Sequence, residues 1–283
     1  MKNLSLAYFS AITVVCIWSG WIILSRLGVN SNLTPSDITM LRFGTAAVVT
    51  LPFSLRFDWK KYQWYQILLL ALGCGFPYTM FSFFGLKILK AANAGVLVNG
   101  MLPVMGALFA YYLFKEKLSW KKWLAVGVLL AANMMMIDWS QFSSTKYWGV
   151  FLLLSAAFVF SIYMASVKKW TFAIKDVIAI VPIVNTILFL PVWFFSESNI
   201  QQAEWNLVIL QVFYQGIIVS VFALILITYT VNKLGAGTMS VYLSYVPVVT
   251  ALFGWVFLNE QLTLLEVSSI VICTVGLWLY ARS

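Results

Sequence analysis

Histidine is absent from this 283-residue chain, and only nine residues are Asp or Glu. The commonest general acid–base group and metal ligand is therefore missing. The carboxylates are also scattered: Asp37, Asp138, Asp176 and Glu266 stand at or near the ends of long apolar runs, while Asp58, Glu197 and Glu204 lie between runs. Neither a catalytic cluster nor a chain of intramembrane proton carriers can be built from that set, so no enzyme is expected. The three cysteines, Cys16, Cys74 and Cys273, sit in different runs without metal-like or redox-like spacing and read as small buried hydrophobes. No metal and no cofactor are expected. A phosphate-binding Gly-rich Lys motif is lacking, which excludes ATP hydrolysis by this chain, and so is a potassium-filter-like sequence. Charge of either sign is scarce, at 10% of residues, against roughly 25% in soluble domains.

What the chain does have is hydrophobic residues, 62% of the total. They form ten runs, at about 4–27, 37–56, 64–86, 91–114, 120–137, 147–167, 177–196, 206–230, 236–258 and 264–281. Each is long enough to cross a bilayer as a helix at about 1.5 Å per residue. Barrel strands would be far shorter. An all-α membrane protein with ten transmembrane helices follows, with the lipid bilayer as its surroundings.

The net charge of +9 falls in short connections and forms no continuous basic face, so no nucleic-acid partner is expected. Instead it reports orientation. With the N-terminus inside, Lys2, Arg56, Lys60, Lys61, Lys115, Lys117, Lys121, Lys122, Lys168, Lys169, Lys175, Lys233 and Arg282 are cytoplasmic, and only Arg26, Lys87, Lys90 and Lys146 are outside. This predicts a multi-pass protein of the inner (plasma) membrane with both termini cytoplasmic.

An internal repeat is present. Sliding the chain by 144 positions lays residues 102–119 over 246–263 and matches Pro103 to Pro247, Val104 to Val248, Ala107 to Ala251, Leu108 to Leu252, Phe109 to Phe253, Glu116 to Glu260 and Leu118 to Leu262. Biased membrane composition would give roughly one or two such matches in eighteen positions. At an offset of 142, Trp18-Ser19-Gly20-Trp21 lies over Phe160-Ser161-Ile162-Tyr163, and Arg26 over Lys168. Two halves, 1–140 and 141–283, are expected. Five spans in each is an odd number, so the second half enters the membrane from the opposite side. Inverted repeats around a midplane site are a common construction of alternating-access transporters.

Candidate site residues follow from this frame. Pro103 and Pro247 each free a carbonyl four residues earlier and serve either as packing features or as paired hinges. Glu116 and Glu260 end the fourth and ninth helices, where the helix dipole disfavours a carboxylate. Compensation is expected from Lys115 and Lys117 or from the N-terminus of the next helix, reached across a tight turn, either as a structural cap or as one latch at each membrane face. Arg42, inside the second run, either snorkels to the interface or faces the cavity and attracts an anion. Trp18, Trp21, Tyr78, Phe81, Tyr163, Tyr214, Tyr242 and Tyr245 lie at mid-helix depth. Singly they suit packing; together, with Asn99 and Gln215 as hydrogen-bonding groups, they suit a pocket for an amphipathic small molecule.

The stretches "VVCIWSGWIILSR", "LRF" at Leu41–Phe43, and the paired "ALFAYYLFKEKLSW" and "ALFGWVFLNEQLT" with their preceding prolines resemble the EamA-type transporters of the drug/metabolite transporter superfamily. The resemblance implies two inverted five-helix repeats around a cavity lined by helices 1, 3, 4, 6, 8 and 9. Helices 5 and 10 would be peripheral, in packing or dimer contacts; a monomer is expected, a dimer being the alternative. It also implies export of small metabolites such as amino acids or related compounds. A cationic or aromatic compound is the alternative substrate, and a non-transporting scaffold subunit the alternative of another class.

Overall fold

A backbone in hydrocarbon must satisfy its own polar groups, and in this chain it does so by helices. The computed structural model describes residues 2–137, 143–234 and 236–283, and every regular element in them is helical. The elements are α1 (Lys2–Val29), α2 (Pro35–Leu55), α3 (Trp64–Gly73), α4 (Phe76–Ile88), α5 (Ala91–Tyr112), α6 (Trp120–Met136), α7 (Ser144–Trp170), α8 (Ile174–Phe194), α9 (Trp205–Gln211), α10 (Ala223–Leu234), α11 (Ala236–Leu243), α12 (Val246–Leu258) and α13 (Leu264–Arg282). A π-helical stretch, Val212–Phe222, joins α9 to α10.

Nine helical stretches among the described residues are long and apolar enough to cross a membrane. The fifth of the ten expected spans, α6, has 17 residues and a length of about 25 Å, at the short end of the spanning range. The expected boundary between halves, at 140/141, and Asp138 lie outside the described residues.

The spans pack in a pattern that maps onto itself when each span is exchanged with the one five places on. Span 2 (α2) packs on span 7 (α8), span 5 (α6) on span 10 (α13), and span 4 (α5) on span 9 (α12). Span 3 (α3 and α4) packs on span 6 (α7) as span 8 packs on span 1, and α5 on α7 as α12 on α1. This is the contact pattern that a repeat with five spans per copy requires.

Two irregular spans occupy equivalent places. Span 3 breaks at Cys74 and Gly75, where the Asn185 side chain of α8 closes the gap: its Oδ1 accepts from the Phe76 N–H at 2.8 Å, and its Nδ2 donates to the Ala71 carbonyl at 2.9 Å. A Cβ on Gly75 would lie 1.8 Å from Asn185 Oδ1. In span 8 the π-helical turn brings Gly216 against Thr45 of α2, whose Cβ is 2.5 Å from where a Gly216 Cβ would stand. In both copies a glycine lets spans 3 and 8 press on spans 7 and 2, at the cost of a regular helix.

Spans 2 and 7 are tied in the same manner at opposite ends. Asp37, in the first turn of α2, accepts from Thr34 N, Asn199 N, Ser198 Oγ and Trp193 Nε1 at 2.6–3.1 Å. Asp176, in the first turn of α8, accepts from Tyr62 Oη at 2.8 Å and pairs with Lys61 at 2.6 Å. Each carboxylate sits at a favourable helix N-terminus and holds a connection of the other half. The Lys61 ammonium is pushed above its ordinary value chiefly by the hydrogen bond to Asp176, and the Tyr62 phenol above its own by burial and then by the same carboxylate.

Candidate functional site

Between the halves lies a cavity of about 150 Å³. α1 supplies Trp18 and Trp21, α2 Arg42, α4 Tyr78 and Ser82, α5 Asn99, and α7 Phe160 and Tyr163. Spans 7, 8 and 9 complete the wall with Pro182, Ser220 and Val246, while spans 5 and 10 contribute no lining residue. The resemblance named spans 1, 3, 4, 6, 8 and 9; spans 2 and 7 also reach the cavity, because their mutual contact forms one of its walls.

Most of the lining is aliphatic, with one continuous stretch of aromatic side chains. Trp21 stacks on Tyr78 with ring centroids 5.6 Å apart and planes 19° apart, Tyr78 lies 5.0 Å from Phe160, and Phe160 lies 5.3 Å from Tyr163. Among the described residues Arg42 carries the single charge of the lining. Its guanidinium carbon stands 5.5 Å from the ring centroids of both Trp21 and Phe43.

Of the candidate residues, Trp18, Trp21, Tyr78, Asn99, Tyr163 and Arg42 meet at this cavity. Gln215 sits just behind it, fully buried, accepting from Trp21 Nε1 at 2.8 Å and donating to Ser25 Oγ at 3.1 Å. Tyr214 donates to the Ile17 carbonyl at 2.9 Å and closes over Gly20. Phe81 packs into the main apolar core. Tyr242 leans on Tyr8, with centroids 6.3 Å apart, and Tyr245 is exposed; neither lines the cavity. Cys74 and Phe160 line it without having been counted among the candidates. For Phe160 the signal was present, since it is the repeat counterpart of Trp18. Cys74 follows from the break in span 3. Cys16 is exposed and only Cys273 is fully buried, so the reading of three buried cysteines needs correction: an α1 face turned outward needs only an apolar side chain.

The two prolines stand in different surroundings. Pro103 lies inside α5, which runs unbroken from Ala91 to Tyr112. Pro247 lies in the first turn of α12, just after span 9 has broken at Ser244 and Tyr245. A missing N–H disturbs little at that position.

The glutamates that end these helices sit in matching backbone turns. Lys115 and Asn259 both take left-handed conformations, φ 56° and 54°, and the following N–H groups of Glu116 and Glu260 return to the carbonyls of Ala110 and Gly254 at 3.0 and 3.1 Å. Their partners are repeat counterparts as well. Glu260 pairs with Arg26 of α1 at 2.9 Å, and Glu116 with Lys168 of α7 at 2.6 Å. Neither Lys115 and Lys117 nor the N-terminus of the next helix, the partners expected from sequence proximity, is used among the described residues.

The two pairs are unequal. Arg26 and Glu260 side chains are 16% and 10% exposed, whereas Lys168 and Glu116 are 53% and 44% exposed. Glu260 also accepts from the Ala91 N–H at the start of α5 at 2.8 Å, and Arg26 donates to the Leu86 carbonyl. Beside them Lys90 pairs with Glu266 at 2.9 Å. The counterpart of Glu266 at the other end is Lys122, a cation, so this second tie has no equivalent there. Gly254 in place of Ala110 also gives Glu260 room to fold back: a Cβ there would approach its Oε2 to 3.2 Å.

Among the described residues no group of three or more His, Cys, Asp or Glu could hold a metal ion. Residues 5–137 and, separately, 147–282 match the model of the EamA-like transporter family. The chain is 27% identical over 260 residues to the uncharacterized transporter YcxC of Bacillus subtilis (strain 168), spanning 86% of this chain and 82% of that protein. It is 25% identical over 259 residues to an uncharacterized transporter of Archaeoglobus fulgidus, spanning 87% and 86%. A solved crystal structure shares the fold with a TM-score of 0.64 at 18% identity, covering 97% of this chain and 96% of its own.

Proposed function

The chain belongs to the EamA-like transporter family, and from that premise we propose that it moves small metabolites, amino acids or related compounds, outward across the inner membrane by alternating access through the central cavity. The observation that carries this reading is an inequality within a symmetric frame. The same helix end is built twice, at Glu116 and Glu260, yet one copy is mostly buried and multiply tied and the other is exposed and singly tied.

Such a frame has two extreme arrangements, related by exchanging the roles of the halves. In one, the Arg26–Glu260 pair closes one end of the cavity while Lys168–Glu116 stays loose. In the other the closed and loose ends swap. Charge counting puts Glu260 on the outer side, so the arrangement described is the outward-sealed one. Spans 2 and 7, fixed by Asp37 and Asp176 to connections of the opposite half, provide the frame against which spans 1, 4, 6 and 9 rock. The unbroken α5 and the broken α11–α12 are then two states of one element, with Pro103 and Pro247 marking where each bends.

Among the described residues no carboxylate lines the cavity, and the chain has no histidine, so the proton relays of coupled pumps lack a carrier there. Facilitated diffusion or exchange fits better. Protein reconstituted into liposomes and offered a broad metabolite panel should show saturable uptake or counterflow for at least one compound, and Trp21→Ala should abolish it. Absence of flux for every compound would favour a scaffold subunit.

A further inference from the structure

The cavity's single charge is a cation left short of partners. Arg42 Nε is buried and has no hydrogen-bond partner. Its Nη1 reaches Gln215 Oε1 only at 3.5 Å, an oxygen that already accepts from Trp21 Nε1 at 2.8 Å. No ion pair among the described residues involves Arg42, although Arg26, Lys61, Lys90 and Lys168 all have one. A buried N–H without an acceptor is costly, and a guanidinium presents a fork that suits a carboxylate on two parallel bonds.

We infer that Arg42 is the carboxylate anchor of the cavity, and that the molecules it takes are small aromatic or otherwise flat monocarboxylates of net charge −1. This rests on the transport reading for its biological use and narrows its substrates from amino acids to related carboxylates that lack an ammonium group. The volume, about 150 Å³, is the size of an apolar cavity that accepts a benzene ring. Trp21, Tyr78, Phe160 and Tyr163 provide faces for such a ring, while Trp21 and Phe43 hold the guanidinium from its sides. Gln215, pinned by Ser25 and Gln211, keeps Trp21 and the guanidinium in register.

The charge also selects against other occupants. A cation about 6 Å from Arg42 would be disfavoured on the order of 100-fold at an effective dielectric near 20. That outweighs what aromatic faces offer a quaternary amine. A zwitterion's ammonium meets only neutral groups, Ser82, Asn99 and Ser220, and the ring faces. Net −1 therefore fits better than zero, and zero better than +1.

The test uses the purified protein in nanodiscs and three probes with one phenyl ring each, titrated by calorimetry: benzoate and benzylammonium, which are close in size, and the larger zwitterion L-phenylalanine. The wild type should bind benzoate saturably and benzylammonium not at all. Arg42→Gln should weaken benzoate at least tenfold, Arg42→Lys should weaken it less, and Arg42→Gln should gain benzylammonium. If Arg42→Gln does not fold, the Arg42→Lys comparison and the probe ranking on the wild type still decide. Failure of benzoate to bind the wild type, equal binding to both variants, or preference for benzylammonium would each overturn the assignment. Arg42-dependent benzoate binding by a protein that moves no compound would leave this assignment standing and sink the transport reading. Flux of cations without anion binding would do the reverse.

Discussion

Replacing Glu260 by alanine removes three things at once: the acceptor of Arg26, the acceptor of the Ala91 N–H at the start of α5, and the partner that packs on Gly254. Breaking one side of a buried pair costs about 3–5 kcal/mol. Arg26 is 16% exposed and keeps the Leu86 carbonyl, which brings the figure down to about 2 kcal/mol; loss of the α5 cap returns about 1 kcal/mol. The closed Glu260 end should lose about 3 kcal/mol relative to the open one, a shift of more than about 100-fold in the opening equilibrium. Glu116→Ala removes an exposed pair and should cost about 0–1 kcal/mol. Cys74 is a native reporter because it lines the cavity, Cys273 is buried, and exposed Cys16 can be replaced by serine. In oriented vesicles a membrane-impermeant maleimide should modify Cys74 from the Glu260 side at least tenfold faster in Glu260→Ala than in the parent. Glu260→Gln should be intermediate, and Glu116→Ala should change that rate less than about threefold. Equal effects of the two alanine variants, or none from Glu260→Ala, would refute the unequal-latch reasoning.

Tyr78→Ala removes two ring contacts in the cavity and should weaken substrate affinity about tenfold, on the order of 1.5 kcal/mol, whereas Tyr245→Ala, on an exposed side chain, should leave flux kinetics within about twofold. Gly75→Ala and Gly216→Ala each drive a Cβ into a neighbouring side chain and should cost about 1–3 kcal/mol in thermal unfolding; Gly106→Ala, with nothing within 4 Å, should be neutral or mildly stabilising. The Lys61 and Tyr62 values are both raised, so their stabilisation is complete at neutral pH and fades as pH rises beyond about 10. Melting temperature followed from pH 7 to 11 should be flat and then fall, with a shallower fall in Lys61→Met carrying Tyr62→Phe; an unchanged slope would count against the tie to Asp176.

Ten spans were legible because membrane length and composition leave few alternatives to each apolar run. The breaks were less so. Gly75 announces an irregularity only when Asn185, 110 positions later, is known to sit against it, and the π-helical turn at Gly216 depends on Thr45 in the same manner. Trp18, Trp21, Tyr78 and Tyr163 were chosen by depth and line the cavity, while Phe160, marked only by its repeat position under Trp18, was missed. Tyr242 and Tyr245 were chosen for their depth, which does not say which way a side chain faces; one leans on Tyr8 and the other is exposed. The glutamate partners were sought close by in sequence, among adjacent lysines or at the start of the next helix, although the repeat had already laid Arg26 over Lys168. The different settings of Pro103 and Pro247 could not be read at all, since equivalent sequences do not state which of two conformations each half adopts.

The central claim is that one cavity is reached from two sides by turns. In proteoliposomes carrying Arg26→Cys with Glu260→Cys and no other cysteine, counterflow of any transported compound should stop when a short reducible dithiol cross-linker bridges the pair, and should return on reduction. Counterflow that continues unchanged through the bridged state would contradict it.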